Sequence, residues 1–298
     1  MKPTVGIVTV LYNSDDVVED FFASLALQSD VDFKLYVIDN SAARTALEHC
    51  RALADRLGIA AEFIFNGQNR GVAAGNNQGI GMALRDGCRY VLLSNNDTHF
   101  PAGTVAELLR ALHEGELVVT PKILYHGAEN LIWYAGGRID VWTMRTPHHG
   151  KLSVDRGQYD SASYTAYAST CFLILDAGVF ARVGLMDEHY FVYYDDTDFM
   201  WRLTRAGIRI RYAPSAVVYH KVSTSTGGEL SPFTLYYTNR NRIYFIRKNL
   251  KGAQRLGALS YTLITRLFQS ARLPSPLARR LWAGVKDGLK SPAAANAD

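Results

Sequence analysis

The chain has 298 residues, 48% hydrophobic and 20% charged, a composition that can bury a large core and does not suit a disordered chain. Three cysteines (Cys50, Cys88, Cys171) without CxxC spacing argue against a disulfide framework or a zinc site and suit a reducing compartment. The net charge of +4 hides an asymmetry, because residues 231–298 hold 12 Lys and Arg against 2 Asp and Glu, a net of +10 that leaves −6 on residues 1–230.

A basic end of this kind can meet the phosphates of nucleic acid, anionic lipid or a phosphorylated substrate. The N-terminus runs straight into strand-like sequence with no signal peptide. No apolar run reaches the roughly 18–20 residues that span a bilayer, so a cytoplasmic location is expected.

Residues 4–11 (TVGIVTVL) form a β-branched apolar run, the pattern of a strand covered on both faces, which Tyr12-Asn13-Ser14 ends. Ser14 or Asp15 is placed to cap the next helix, whose apolar face is Val17, Val18, Phe21, Phe22 and Leu25. Lys34–Ile38 reads as a second strand stopped by Asp39-Asn40-Ser41, Arg44–Leu57 as a helix and Ala60–Phe65 as a third strand. This βαβαβ alternation predicts a parallel sheet with helices on its faces and every loop after a strand on one edge.

The loop 66–71 opens a helix rich in Gly and Asn, poor helix formers whose density implies either a close approach to a strand or a nearby ligand. Its spacing is not GxGxxG, which argues against a nicotinamide fingerprint. Arg89–Ser94 is a fourth strand ending in Asn95-Asn96-Asp97, and Pro101 is placed at the first position of a helix ending near Gly115. Asp97 then shares an edge with Asp39, and a carboxylate among carboxamides suits either a turn or a hard cation bridged to phosphates.

Residues 117–163 read as hairpins inserted over the sheet edge, with His148-His149 as solvated loop residues in preference to a metal-binding pair. Strand character returns over 164–175, and a short helix closes at Gly184. Two strands, 208–212 and 216–219, lead to His220, a ligand or a hydrogen-bonded structural residue. Three helices follow, over 232–250, 253–271 and 277–289. Interleaved Arg and aromatic residues on the first suggest anion recognition, and the later two mix apolar and basic residues as interfacial helices on anionic membranes do.

The densest cluster is Tyr194-Asp195-Asp196-Thr197-Asp198, three carboxylates in four positions at the start of a helix over about 196–206. Asp198 is spaced to pair with Arg202 one turn on, and Phe199 and Leu203 face inward. The others serve either as a helix cap or as a general base.

Taken together, these segments resemble inverting family 2 glycosyltransferases of the GT-A fold, most closely the bacterial rhamnosyltransferase branch. The matching pieces are VTVLYNS at 8–14, VIDNS at 37–41, NRGVAAGNNQG at 69–79, LSNNDT at 93–98, GLMDE at 184–188 with YDDTD at 194–198, and His220. The resemblance implies an α/β Rossmann-like sheet, mostly parallel, flanked by helices and carrying a C-terminal helical extension. It divides the chain into a catalytic domain over 1–230, a basic helical extension over 231–290 and a disordered tail over 291–298. Within the catalytic domain, 1–115 would be the nucleotide-sugar half and 116–230 the acceptor half.

It further implies that Asp39 accepts from a uracil or thymine base while Thr9, Tyr12 and Asn13 line the base and ribose pocket. Asn69, Gly71, Asn76 and Asn96 would shape the nucleotide side, and Arg240 or Arg242 would offset leaving-diphosphate charge. Asn95-Asn96-Asp97 stands at the family's DxD-like motif with a single acid, so Asp97, His220 and diphosphate oxygens would hold Mg²⁺ or Mn²⁺. Asp196 falls on the family's catalytic base, with Asp195, Asp187 and Glu188 toward the acceptor.

The implied reaction moves a sugar, first L-rhamnose from dTDP-rhamnose, to a lipid-linked or cell-surface glycan. A UDP-hexose or UDP-N-acetylhexosamine donor is the alternative. The C-terminal helices are candidates for peripheral contact with the inner face of the plasma membrane. A nucleic-acid-binding protein is disfavoured, because acidic strand ends repel phosphates without a metal.

Overall fold

The computed structural model describes residues 4–14, 17–222 and 230–292. Four apolar runs form β1 (Val5–Leu11), β2 (Phe33–Asp39), β3 (Ala61–Phe65) and β4 (Tyr90–Ser94), joined by α1 (Val18–Ala26), α2 (Thr45–Leu57) and α3 (Val72–Asp86). They pair in parallel in the order β3-β2-β1-β4, as the βαβ alternation predicts. Helix α1 has no side-chain cap, since Val17 occupies the capping position. Ser14 instead accepts from the Tyr12 N–H, and Asp15 lies outside the described residues.

After β5 (Thr98–His99) comes α4 (Thr104–His113), which starts three residues later than Pro101 predicts because Gly103 takes the left-handed capping position. The chain continues through β6 (Val118–Tyr125), β7 (Ala128–Tyr134), β8 (Ser163–Thr165), β9 (Phe172–Asp176), α5 (Gly178–Val183), α6 (Asp195–Arg205) and β10 (Ile210–His220). The sheet runs β3-β2-β1-β4-β9-β6-β10-β5, with β9 antiparallel to both neighbours. Thus β6 is a central strand, while β7, paired to β6, and β8, paired to β10, lie off the main path.

The two strands expected over 208–219 are one strand, β10, whose register shifts between Ala213 and Val217 around Pro214. A bulge is where a strand accommodates proline. His148 is not a solvated loop residue: it bonds the Trp133 carbonyl through Nδ1 at 3.0 Å and stacks on Tyr167, and burial pushes its imidazole down to about 4.

Helices α7 (Pro232–Asn249), α8 (Gly252–Ser270) and α9 (Ser275–Lys290) close the chain. Ser231 caps α7 by accepting from the Thr234 N–H at 3.1 Å. Of the tail expected to be disordered, Ser291 is buried and its carbonyl accepts from Arg247, while residues 293–298 lie outside the described residues. Among the described residues no helix is long and apolar enough to cross a membrane.

Candidate active site

The C-terminal ends of β1, β2 and β4 meet on one edge, where an open sheet leaves a crevice for ligands. A cavity of about 490 Å³ lies there, walled by Val10 and Tyr12 after β1, Asn40 after β2, Asn69 to Asn76 at the start of α3, Ser94 to Asp97 after β4, and His220 ending β10. Phe191, Val192 and Tyr193 close it from the loop before α6, with Phe233 of α7.

The glycines of α3 serve both readings of that helix. A Cβ at Gly79 would come within 2.3 Å of the Val8 side chain, so glycine lets α3 lie directly on β1. Gly71 lines the cavity at φ +86°, with Phe191 O only 2.5 Å from where its Cβ would stand.

A carboxamide network fixes this wall. Asn40 Nδ2 donates to Gly71 O at 3.0 Å, Asn66 bonds Asn40 and Gln78, and Asn96 Nδ2 donates to Val10 O and Ser14 Oγ. Asn69 turns its own loop by accepting from the Gly71 N–H at 2.9 Å.

Asp39 is fully buried at the end of β2 beside the cavity-lining Asn40. One oxygen accepts from the Ser41 N–H at 2.8 Å, and Oδ2 has no hydrogen-bond partner among the described residues. An orphaned buried carboxylate oxygen is costly unless a ligand supplies a donor. Thr9 is also fully buried with its hydroxyl unpartnered, and neighbouring Val10 reaches the cavity in its place. Asn13 adopts a left-handed backbone and donates its N–H to Ser41 Oγ.

Asp97 and His220 line the cavity with Oδ1 and Nε2 3.1 Å apart. Burial opposes charging of His220, but the adjacent Cys171 and Asp97 outweigh it and set the imidazole well above its ordinary value. Among the described residues no group of three or more His, Cys, Asp and Glu side chains could hold a metal ion. The two-residue set fits a cation only with ligand oxygens completing its shell.

The acidic cluster occupies the first turn of α6, capped by Tyr194 with no side-chain cap bond. Asp196 does not line the cavity. Its Oδ2 accepts from the Tyr167 hydroxyl at 2.5 Å, and Oδ1 accepts from the Thr197 N–H and hydroxyl. Burial raises the pKa of Asp196 against those hydrogen bonds, and burial with Asp196 beside it raises that of Asp195.

Asp198 is fully buried and bonds Arg202 Nε at 2.9 Å and Lys248 Nζ at 2.8 Å. Asp187, expected to face an acceptor, is taken up by Lys248, Tyr244 and the His189 N–H. Glu188 accepts from Asn77, which also bonds both the N–H and the carbonyl of Met186.

The arginines expected at a leaving diphosphate do not line the cavity. Arg240 donates to the carbonyls of His189 and Tyr190, and Arg242 Nε donates to Tyr194 Oη at 2.8 Å. Asn241 Nδ2 lies within bonding distance of three carbonyls, Tyr190, Val192 and Tyr193. Phe191, Tyr193 and Tyr194 all have positive φ, so α7 holds a strained loop against the cavity.

Tyr167, Asn77 and Asn241 were missed because their partners lie 29, 109 and about 50 residues away. Asn77 falls inside the matched 69–79 segment, which does not show its partner, and no local motif marks Tyr167 or Asn241.

Residues 6–174 match the model of Glycosyl transferase family 2. The chain is 23% identical to a low-salt glycan biosynthesis hexosyltransferase, Agl10, of Haloferax volcanii, covering 89% of this chain and 82% of that one. It is 24% identical to the dTDP-rhamnosyl transferase RfbF of Shigella flexneri, covering 84% and 82%. The structure of a mannosyltransferase from Pyrobaculum calidifontis, in complex with GDP-Man and Mn²⁺, superposes with a TM-score of 0.56 at 15% identity, covering 98% of this chain and 82% of that one. A sheet edge of this GT-A form, with the family match spanning more than half of the sequence, makes this chain a glycosyltransferase belonging to family 2.

Proposed function

We propose that the enzyme transfers a hexosyl or deoxyhexosyl group, first L-rhamnose from dTDP-rhamnose, to a hydroxyl of a lipid-linked or cell-surface glycan, inverting the anomeric centre. The observation that carries the donor reading is Asp39, whose buried Oδ2 has no hydrogen-bond partner among the described residues and whose neighbour Asn40 lines the 490 Å³ cavity. The N3–H of thymine or uracil supplies such a donor. Likeness to RfbF, whose name gives a dTDP-rhamnosyl transferase, supports rhamnose over a UDP-linked hexose.

In the proposed reaction Asp196 takes the acceptor hydroxyl proton as that oxygen bonds to the anomeric carbon. The bond from that carbon to the diphosphate oxygen breaks on the opposite face, and its electron pair leaves with the nucleoside diphosphate. Burial raises the pKa of Asp196 above the ordinary carboxylate value, the direction that makes it a stronger base, and Tyr167 orients its carboxylate. Asp97 and His220, the latter once its imidazole has released the proton that its raised pKa favours, would hold Mg²⁺ or Mn²⁺, which when bound would neutralise charge on the leaving diphosphate. Asn40 and Asn66 hold the Gly71 backbone at the cavity wall. The basic C-terminal helices are the part of the chain suited to an anionic membrane surface.

A transfer screen across dTDP- and UDP-sugars with Mg²⁺ and Mn²⁺ tests the reading. dTDP-rhamnose should be turned over, and protection by dTDP against thermal unfolding should need the metal. Asp196→Asn should lower kcat on the order of 10²–10⁴-fold with dTDP protection retained. Substantial turnover in that variant would move the base to Asp195.

A further inference from the structure

A second cavity, of about 560 Å³, lies between α8 and the loop carrying Met144 and Arg145. Its charged lining is Arg145, Arg266 and Arg272, its apolar walls include Leu230, Phe268 and Leu273, and no carboxylate of the described residues lines it. Arg266 is only 7% exposed. One of its terminal nitrogens bonds Asn239 Oδ1 at 3.2 Å, while Nε has no hydrogen-bond partner among the described residues. Arg242, also buried, has an unpartnered Nη1 and adds its charge to the same neighbourhood.

Burial and the like charges of Arg242 and Arg145 bring the Arg266 guanidinium down to about 10. Clustered guanidiniums with idle donors destabilise a fold unless an anion completes them. A guanidinium fork pairs bidentately with carboxylate or phosphate oxygens, and three guanidiniums around one cavity suit the multiply charged phosphate of the two.

The cavity is coupled to the acidic turn. Arg242 donates to the Tyr194 hydroxyl, which donates to Met144 O at 2.5 Å, the residue before Arg145, and Tyr194 caps the helix carrying Asp195 and Asp196. We propose that the Arg145, Arg266 and Arg272 cavity is a phosphate site, separate from the nucleotide cavity, that takes a phosphate or diphosphate group borne by the acceptor. The acceptor role rests on the glycosyl-transfer reading; the anion site rests on the arginines alone. The apolar walls lower the local dielectric around the phosphate and strengthen its pairing.

The test is calorimetric titration of the full chain with inorganic pyrophosphate in EDTA, without donor or metal, for wild type and an Arg145→Ala/Arg272→Ala double variant. Wild type should bind saturably and the variant about tenfold or more weakly. Arg145 and Arg272 are exposed, so the double variant should fold, as thermal unfolding will show. Arg266→Gln should abolish binding, and if it fails to fold the rim pair still decides.

Farnesyl diphosphate is the second ligand. Tighter binding than pyrophosphate assigns the phosphate to a lipid headgroup, and equal binding assigns it to a soluble or sugar-borne phosphate. Equal pyrophosphate affinity in wild type and double variant, or no binding to wild type at about 1 mM, overturns the site. Because no transfer is measured, that failure leaves the proposed reaction standing, and failure of the sugar screen leaves this titration readable.

Discussion

The wall built by β1, β2 and α3 is held by neutral carboxamides, Asn40, Asn66, Gln78 and Asn96, bonding one another and nearby backbone. The facing wall, residues 186–198, is held from α7 by charge: Lys248 on Asp187 and Asp198, Arg240 on the His189 and Tyr190 carbonyls, with Asn241 sharing Tyr190 and adding those of Val192 and Tyr193. A neutral network tolerates the loss of one member because water can replace it. A buried ionic one does not, because a single deletion strands a charge. The charged wall therefore depends on the C-terminal helices, and α7 is part of the site's scaffold as well as its basic surface.

Removing Lys248 should have the largest effect. Its side chain is 13% exposed and supplies the cation on Asp187 while sharing the fully buried Asp198 with Arg202, so Lys248→Met, which leaves Asp187 without that charge, should cost about 3 kcal/mol in urea unfolding. Asn66→Ala on the carboxamide wall should cost about 1 kcal/mol. Equal losses would break the contrast. Asn241→Ala falls between, at roughly 1–3 kcal/mol, since it frees the Val192 and Tyr193 carbonyls and leaves Tyr190 O to Arg240 alone, in a loop with left-handed residues. It should also raise proteolytic sensitivity near residue 192.

How much of this was legible follows the same division. The strands β1 to β4 read directly from apolar runs, Asp97 and His220 read from their places at strand ends, and Asn69, Asn76 and Asn96 follow from the family resemblance; all five line the cavity. On the other side the sequence misled. Residues 117–125 read as part of an inserted hairpin, yet β6 is a central strand whose Lys122 is 3% exposed and pairs with Asp155 and Asp160 from a later loop. Pro214 split β10 on paper where the sheet only bulges. Asp187, Arg240 and Arg242 looked like ligands to substrate because their protein partners, about 50 to 60 residues away, leave no local trace.

The Asp195 and Asp196 pair sharpens the contrast through pH. Both carboxyls have pKa values raised above the unfolded value, so stability relative to ordinary aspartates is intact at low pH and is lost as pH rises through the folded values. Asp195→Asn removes one buried charge and the repulsion on its neighbour. Its Tm should match wild type near pH 4 and exceed it increasingly toward pH 8. A constant difference across that range would mean that Asp195 does not titrate in this window.

Tyr167→Phe should give the smallest change in stability and the most specific change in activity. The Tyr167 hydroxyl donates to Asp196 Oδ2, a bond that favours the carboxylate and holds its pKa below what burial alone would set. Without it the pKa of Asp196 rises further. If Asp196 is the base, the acid limb of kcat/KM must then move to higher pH, with the rate at the alkaline plateau largely kept. A purely structural loss would instead lower the rate at every pH without moving the limb. An unmoved limb would therefore separate Tyr167 and Asp196 from the titration that controls transfer and point to Asp195, whose raised pKa has a different origin, burial together with the charge of its neighbour.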